Sequence, residues 1–455
     1  MKLKYTLNGN KNGLVVTGGK NLKGELVIPS EDCLGGKIYP VIAIRDWAFY
    51  GCSALTSIVI PNSVTEIGEY AFGDCSALTS IVISDSVTKI GDRIFYKCST
   101  LTSIVVDKEN RHYDSREGCN AIIESNTNTL IAGCSTTVIP NPVTKIGNEA
   151  FRGCTALTSI EIPDSVTGIG DWAFYGCSAL TSIEIPDSVT KVGDWAFSCC
   201  TGLTSIIVDK ENRHYDSREG CNAIIESNTN TLIAGCSTTV IPTSVTKIGD
   251  GAFLGCRKLT SIVIPDSVTK IGNDAFYRCT ALTSIAIPDS VTKIGNDAFY
   301  RCTALTSIVI PDSVTKIGDE AFRGCTALTS IIIDRENRHY DSREGCNAII
   351  ESDTNILVTG CSTTIIPDSV TKIGVGTFDS CSGLTSIVIP DSVTEIGNDA
   401  FFACSGLTSI RIPDSVTEIR AHAFERCNGL TSIVINDASL LEDTGVPEGV
   451  EIVKP

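Results

Sequence analysis

The sequence is short of the residues that most chemistry requires. It holds one methionine, three tryptophans and four histidines in 455 residues. The histidines are His112, His214, His339 and His422, and the first three recur within copies of Arg-His-Tyr-Asp. A metal or acid–base reading would join His112 to Asp114 and Cys119, but a solvated turn copied by duplication explains the recurrence better. No nucleophile–base pair, phosphate-cradling glycine loop or two-Cys/two-His zinc spacing is present, and the recurring Ile-Gly is punctuation, not a dinucleotide fingerprint. No catalytic residue, cofactor or metal ligand is therefore nominated, and an enzyme is not expected. Basic runs are also missing. Lys and Arg number 36 against 53 Asp and Glu, for a net charge of −17, which argues against a phosphate-backbone partner. No stretch approaches the roughly 18 apolar residues of a membrane helix. The opening Met1–Gly9 has no apolar segment of the kind a secretory signal carries. That leaves either a cytoplasmic chain or one whose export signal has been trimmed.

What the sequence has in abundance is itself. The Phe residues 49, 72, 95, 151, 174, 197, 253, 276, 299, 322, 378, 401 and 424 follow one another at 23 residues, apart from three steps of 56. Self-similarity at a fixed period marks a solenoid, which lengthens by adding coils and needs no second core. Within a unit such as Leu180–Cys200, Leu-x-x-Ile-x-Ile is a short strand with Leu and both Ile inward. Pro186 cannot donate to a ladder and ends it, and Pro-Asp-Ser supplies a turn. Val189 and Val192 add a second apolar ledge. Gly193 permits a reversal, and Asp194 stands where an N-cap belongs ahead of a one- to two-turn helix carrying Ala-Phe-x-x-Cys. About eight inward apolar residues per coil are shielded only by neighbouring coils. Roughly sixteen or more coils at strand spacing imply a body on the order of 80 Å long. The expected fold is an α/β leucine-rich-repeat solenoid, β-rich: a right-handed superhelix with a parallel sheet on one face and short helices or irregular coil on the other.

The 21 cysteines suggest a disulfide scaffold until they are placed on the repeat. Thirteen occupy one column, from Cys52, Cys75 and Cys98 through Cys381, Cys404 and Cys427. A residue repeated once per coil stacks on its own copies, and reduced Cys packs as a small hydrophobe. Pairwise bridges along the column would pull alternate coils out of register, so reduced structural thiols are expected there. Three pairs fifteen apart, Cys119/Cys134, Cys221/Cys236 and Cys346/Cys361, remain open to cross-linking.

The 56-residue steps contain near-copies of one segment, at residues 106–140, 208–242 and 333–367. Ala-Ile-Ile-Glu, a polar turn and Leu-Ile-Ala predict a hairpin there, replacing the helix side of the coil. Terminal coils must be closed to hide their core. Residues 1–44 alternate apolar and polar and suit an N-terminal β-cap, residues 45–436 form the solenoid, and 437–455 suit a C-terminal cap.

Units such as Ile-Gly-Asn-Asp-Ala-Phe-Tyr-Arg-Cys-Thr-Ala-Leu-Thr-Ser-Ile-Ala-Ile-Pro-Asp-Ser-Val-Thr (271–292) resemble the BspA-type leucine-rich repeat family. So do the longer units with Tyr113/Gly118, Tyr215/Gly220 and Tyr340/Gly345, and Tyr39-Pro40-Val41-Ile42-Ala43-Ile44. The resemblance covers essentially the whole chain and is specific for fold, not for function. It implies a protein of bacterial or protist cell surfaces, with adhesion to host proteins such as fibronectin and fibrinogen as its expected activity.

Departures from the repeat nominate a binding surface. The outward strand position after the first inward Ile is mostly Val or Ile but is Glu161, Glu184 and Arg411 in three coils. Glu161 and Glu184 should lie side by side, at an electrostatic cost. Trp172 and Trp195 stand one coil apart beside Tyr175, and exposed aromatics suit protein contacts; a 23-residue duplication would also copy both features. The Asp column (Asp187, Asp266, Asp289, Asp312 and others) could suggest calcium, but the nearby Lys column (Lys191, Lys270, Lys293, Lys316) should neutralise it. The leading expectation is a non-enzymatic adhesion protein with protein partners, no nucleic acid, no membrane insertion and an oligomeric state left open. An intracellular interaction scaffold is the alternative. An ice- or ordered-water-binding face, suggested by Thr and Ser in register, is weaker because Val, Glu and Arg interrupt it.

Overall fold

The structure, a computed structural model, describes residues 2–455. These form two compact units, Met1–Asn228 and Thr229–Pro455. Each is a β-solenoid of stacked coils, and together they count about 19 turns.

In the first unit the Leu-x-x-Ile-x-Ile stretches pair in parallel and in register, Ile58 against Ile81 and Ile81 against Ile104. The strand Ser182–Ile185 pairs likewise with Ser205–Val208. Inward Leu and Ile alternate with outward Thr, Ser and Val, and the inward set is buried, as in Leu78, Ile81 and Ile83. A second ladder runs through the Thr-Lys-Ile ledge, for example Leu130, Ile146, Ile169 and Val192. The second unit repeats both ladders, with Ile248, Ile271, Ile294 and Ile317 in the ledge and Ile308 against Ile331 in the strand.

The third side of the coil takes the irregular form of the expected fold, not the short-helix form. Ala-Phe-x-x-Cys forms no helix; among the described residues only short 3-10 turns occur, at Arg116–Gly118, Arg218–Gly220, Arg343–Gly345 and Ala438–Leu441. The reason lies in the backbone. The residue two before each Phe and the residue two after it both take left-handed conformations, as at Trp172 (φ 52°) and Gly176 (φ 76°). A right-handed helix cannot pass through either position. Alternate N–H groups instead reach the next coil: Trp172 N donates to Asp194 O at 2.9 Å, Phe174 N to Ala196 O at 2.8 Å and Gly176 N to Ser198 O at 2.9 Å. The N-cap expected of Asp194 is absent for the same reason. Asp171 Oδ1 accepts the backbone N–H of Asp194 at 3.0 Å, and Asn148 Oδ1 accepts that of Asp171 at 3.1 Å, so this column caps the following coil and not its own.

Phe and Cys fill the core behind these turns. Phe151, Phe174 and Phe197 stack with centroids 5.0 and 5.3 Å apart, and Phe276, Phe299 and Phe322 at 5.2 Å. Each buried ring contributes on the order of 2–3 kcal/mol through surface removed from water. No thiol among the described residues is bridged. Cys177 Sγ donates to Phe151 O at 3.2 Å, and Cys302 Sγ to Phe276 O, also at 3.2 Å. The column is therefore a hydrogen-bonded seam between coils as well as apolar filling. Cys134 Sγ donates to the carbonyl of Asn120 at 3.4 Å, so the partner of this thiol is backbone and not Cys119.

The extended segments do contain the hairpin: Ala121–Glu124 pairs antiparallel with Thr129–Gly133. Its second strand takes a place in the Thr-Lys-Ile ladder, Leu130 facing Ile146. It does not simply replace the third side as expected. That side shrinks to Gly133, whose N–H reaches Ala150 O at 2.9 Å. A Cβ on Gly133 would lie 2.1 Å from the Phe151 ring, so glycine is required where the Phe column is interrupted. Buried Asn110 anchors the segment, donating to Ser84 O and Val87 O while accepting the N–H groups of His112 and Tyr113.

Candidate interaction surfaces

Three columns of outward side chains follow from this coil. The first lies on the strands. Val59, Val82 and Val105 are 43–52% exposed, and the same column continues as Glu161, Glu184 and Ile207 in the first unit. Glu161 and Glu184 line one open groove of about 460 Å³, together with Asp164 and Asp209. In the second unit Arg411 is exposed on its strand, bridged to Val388.

The second column is the left-handed position two before Phe. In the first unit it carries Trp47, Tyr70, Arg93, Glu149, Trp172 and Trp195, all at φ between 51° and 62°. All three tryptophans of the chain sit here. Trp172 and Trp195 stack at 5.4 Å and 7°, and Trp47 stacks on Tyr70 at 4.0 Å. Arginines knit the column to its neighbours. Arg152 lies over Tyr96 (5.7 Å), Trp172 (5.9 Å) and Tyr175 (5.0 Å), and Arg93 over Tyr70 (5.3 Å). Arg93 also clasps buried Glu149, which accepts from Arg152 at 2.8 Å. In the second unit the corresponding position holds Gly251, Asp274, Asp297, Glu320, Gly376, Asp399 and His422, again all left-handed. Burial and the neighbouring Asp274 and Glu320 push the Asp297 carboxyl up to about 6.

The third column is threonine. Thr79 Oγ1 donates to Thr56 O at 3.1 Å and Thr306 Oγ1 to Thr283 O at 3.2 Å. These hydroxyl protons are spent along the solenoid.

The nominated residues therefore belong to two different surfaces. Glu184 and Arg411 lie on strands and Glu161 on an irregular stretch in the same column, whereas Trp172, Trp195 and Tyr175 lie on the turn side, half-buried. The sequence reading missed Trp47, Tyr70, Tyr96, Arg93 and Arg152. Tabulating the position two before Phe would have found the first, second and fourth. Arg152 meets Tyr96 across a 56-residue step, which no local pattern reveals. The charge pairing expected between the Asp and Lys columns is also corrected: Lys89 pairs with Glu66 (3.9 Å) and Lys372 with Glu395 (2.9 Å), both within the Lys column itself. The His112 grouping is not assembled. His112 is exposed, Asp114 is engaged by Arg116 and Ser125, and Cys119 Sγ points at Ala121 O. Arg116 and Ser125 hold the Asp114 carboxyl below the usual range against the opposing effect of burial. No cluster of metal-ligating side chains occurs among the described residues.

Stacked Leu/Ile strands, a Cys–Phe seam and turns without helix define a leucine-rich-repeat solenoid. Its residues 39–127, 121–231, 223–344 and 358–443 match the family model described as BspA type leucine rich repeat region, and the chain belongs to that family. No curated protein matches it. Among solved structures it is similar to a leucine rich cell surface protein of Faecalibacterium prausnitzii, at 29% identity over 98% of this chain and 97% of that one, TM-score 0.37. A leucine-rich repeat protein of Eubacterium ventriosum is 23% identical over 98% and 97%, TM-score 0.47. The pneumococcal vaccine antigen PcpA is 16% identical over 100% and 97%, TM-score 0.38. No helix among the described residues is long and apolar enough to cross a membrane.

Proposed function

We propose that this chain is a non-enzymatic adhesion protein of the cell surface, holding a protein partner through the aromatic column and acidic groove of its first unit. The observation that carries the reading is the backbone at Trp47, Trp172 and Trp195, whose rings are at least partly exposed. A left-handed conformation costs an L-residue about 1–2 kcal/mol, and glycine escapes that cost. The second unit places Gly251 and Gly376 at the same position, so nothing in the fold demands an aromatic there. Bulky rings held in such a conformation point to use, and Trp, Tyr and Arg are the side chains that dominate protein interfaces. Glu161 and Glu184 add two like charges to one groove, an arrangement that also costs stability. Arg411, on a strand of the second unit, remains a separate candidate contact.

The family resemblance directs the first test to fibronectin and fibrinogen. Both are immobilised, and the whole chain is compared with Trp172→Gly/Trp195→Gly and Glu161→Thr/Glu184→Thr by surface plasmon resonance. Micromolar or tighter binding, weakened about tenfold or more by the Trp pair, is expected. Binding indifferent to both pairs would remove these residues from the site, and absence of binding to either protein would remove the proposed partner class.

A further inference from the structure

We infer that the second unit docks face to face with a second copy of this chain through its strand column. Val240, Val263, Val309, Ile332, Ile365 and Val388 are 48–82% exposed. Val263 bridges to Ala286 and Val309 pairs with Ile332, which places them in one row. Together they bare on the order of 600 Å² of apolar side chain. That is the upper end of what a monomer leaves uncovered, and near the roughly 800 Å² per partner of a standard interface once flanking residues are added. No charged residue enters the row before Arg411. Flanking threonine hydroxyls are already committed: Thr283 donates to Thr260 O, Thr306 to Thr283 O and Thr329 to Thr306 O, at 3.2–3.4 Å. Drying this face therefore leaves these three donors satisfied, and stranded donors are the usual penalty for burying polar groups.

The sizes along the row favour one arrangement. A two-fold axis along the strands between Val309 and Ile332 reverses the order of coils, setting Ala286 against Ile365 and Val263 against Val388. Val240 then meets Arg411, whose apolar stem can cover it. The unreversed pairing would set Arg411 on Arg411 and leave Ala286 facing Ala286 across a void. The reversed one runs the exposed Asp266, Asp289 and Asp312 rims alongside each other. At a face-to-face spacing of about 10 Å, beyond the roughly 8 Å screening length, that repulsion is small. The first unit breaks its own row with Glu161 and Glu184, which confines the contact to the second.

Sedimentation equilibrium of the whole chain up to about 50 µM tests this. The chain should dimerise, and Val263→Glu and Val388→Lys should each weaken the dimer about tenfold or more. Combining the two should restore it, since the positions lie several coils apart within one chain and meet only between copies. Glu161 and Arg411 show that the strand column accepts either charge, and thermal melts confirm that each variant is folded. Val82→Glu in the first unit should leave association unchanged. A monomeric wild type, a dimer untouched by Val263→Glu, sensitivity to Val82→Glu, or no restoration in the double variant would each overturn the proposal. None of these outcomes depends on whether matrix proteins bind.

Discussion

The two units share a backbone and differ in what they hang on it. Two residues before every buried Phe the chain turns left-handed in both. The second unit fills that position with Gly251, Asp274, Asp297, Gly376, Asp399 and His422, residues at ease there or nearly so, and with Glu320. The first fills it with Trp47, Tyr70, Arg93, Glu149, Trp172 and Trp195. The strand column differs the other way: uncharged and aliphatic from Val240 to Val388 in the second unit, interrupted by Glu161 and Glu184 in the first. Coil geometry is thus fixed by the inward Leu, Ile, Phe and Cys, and outward columns are free to diverge. Surface strain and surface charge then mark where something other than folding sets the residue.

The largest expected effect tests whether the shared part is shared. Phe174 and Phe299 are fully buried and stacked on both sides. Phe174→Ala and Phe299→Ala should each cost about 3–5 kcal/mol in chemical denaturation; a large loss in only one unit would break the comparison. Next come the glycines that replace Phe in the extended coils. A Cβ at Gly133 would stand 2.1 Å from Phe151, and one at Gly360 would stand 2.2 Å from Phe378. Gly133→Ala and Gly360→Ala should each destabilise by about 1–3 kcal/mol through overpacking. A neutral result at either would mean that its Phe has room to move.

A smaller effect separates the units by pH. Asp297 holds its proton up to about pH 6 when folded, against about 3.9 in an unfolded chain. The folded state therefore binds more protons between those values, and this carboxyl's contribution to stability declines as pH rises from about 4 through 6. Asp297→Asn, which keeps the shape and tolerates the left-handed backbone, should raise the melting temperature by about a degree or two at pH 8 and leave it unchanged below pH 3.5. Trp195→Gly, in the same column of the first unit, should show no such pH dependence. The smallest effect concerns thiols. Burial pushes the Cys98, Cys154 and Cys200 thiols up to about 12, and those of Cys325 and Cys381 equally far. At pH 8 a disulfide reagent should titrate exposed Cys33 first and reach these five only after denaturant is added. Rapid reaction of the column in the native protein would contradict the seam.

Much of the coil was legible in the sequence because its causes are local. Alternation in Leu-x-x-Ile-x-Ile, the stop at Pro and the hairpin in residues 106–140 each depend on residues a few positions apart. The third side was not. Ala-Phe-x-x-Cys preceded by Asp reads as a capped helix, and the left-handed residues that forbid it are disguised as Trp, Tyr, Arg and Glu. Their N–H partners lie in the next coil, so Asp194 N bonds to Asp171 Oδ1 and not into its own turn. The candidate surface was half legible. Trp172 and Trp195 stood out by rarity, but the cation–π contact of Arg152 with Tyr96 exists only because an extended coil folds out of the way between them.

The most direct test rewrites the accessible aromatics of the first unit's left-handed column in the second unit's residues: Trp47→Gly, Trp172→Gly and Trp195→Asp in one chain. Melting temperature and partner binding are measured together on that protein. If the aromatics serve recognition at the expense of backbone ease, the melt should stay within a few degrees of the wild type while binding is lost. A collapse of the melt, or binding retained in full, would show that the rings belong to the fold and not to a partner.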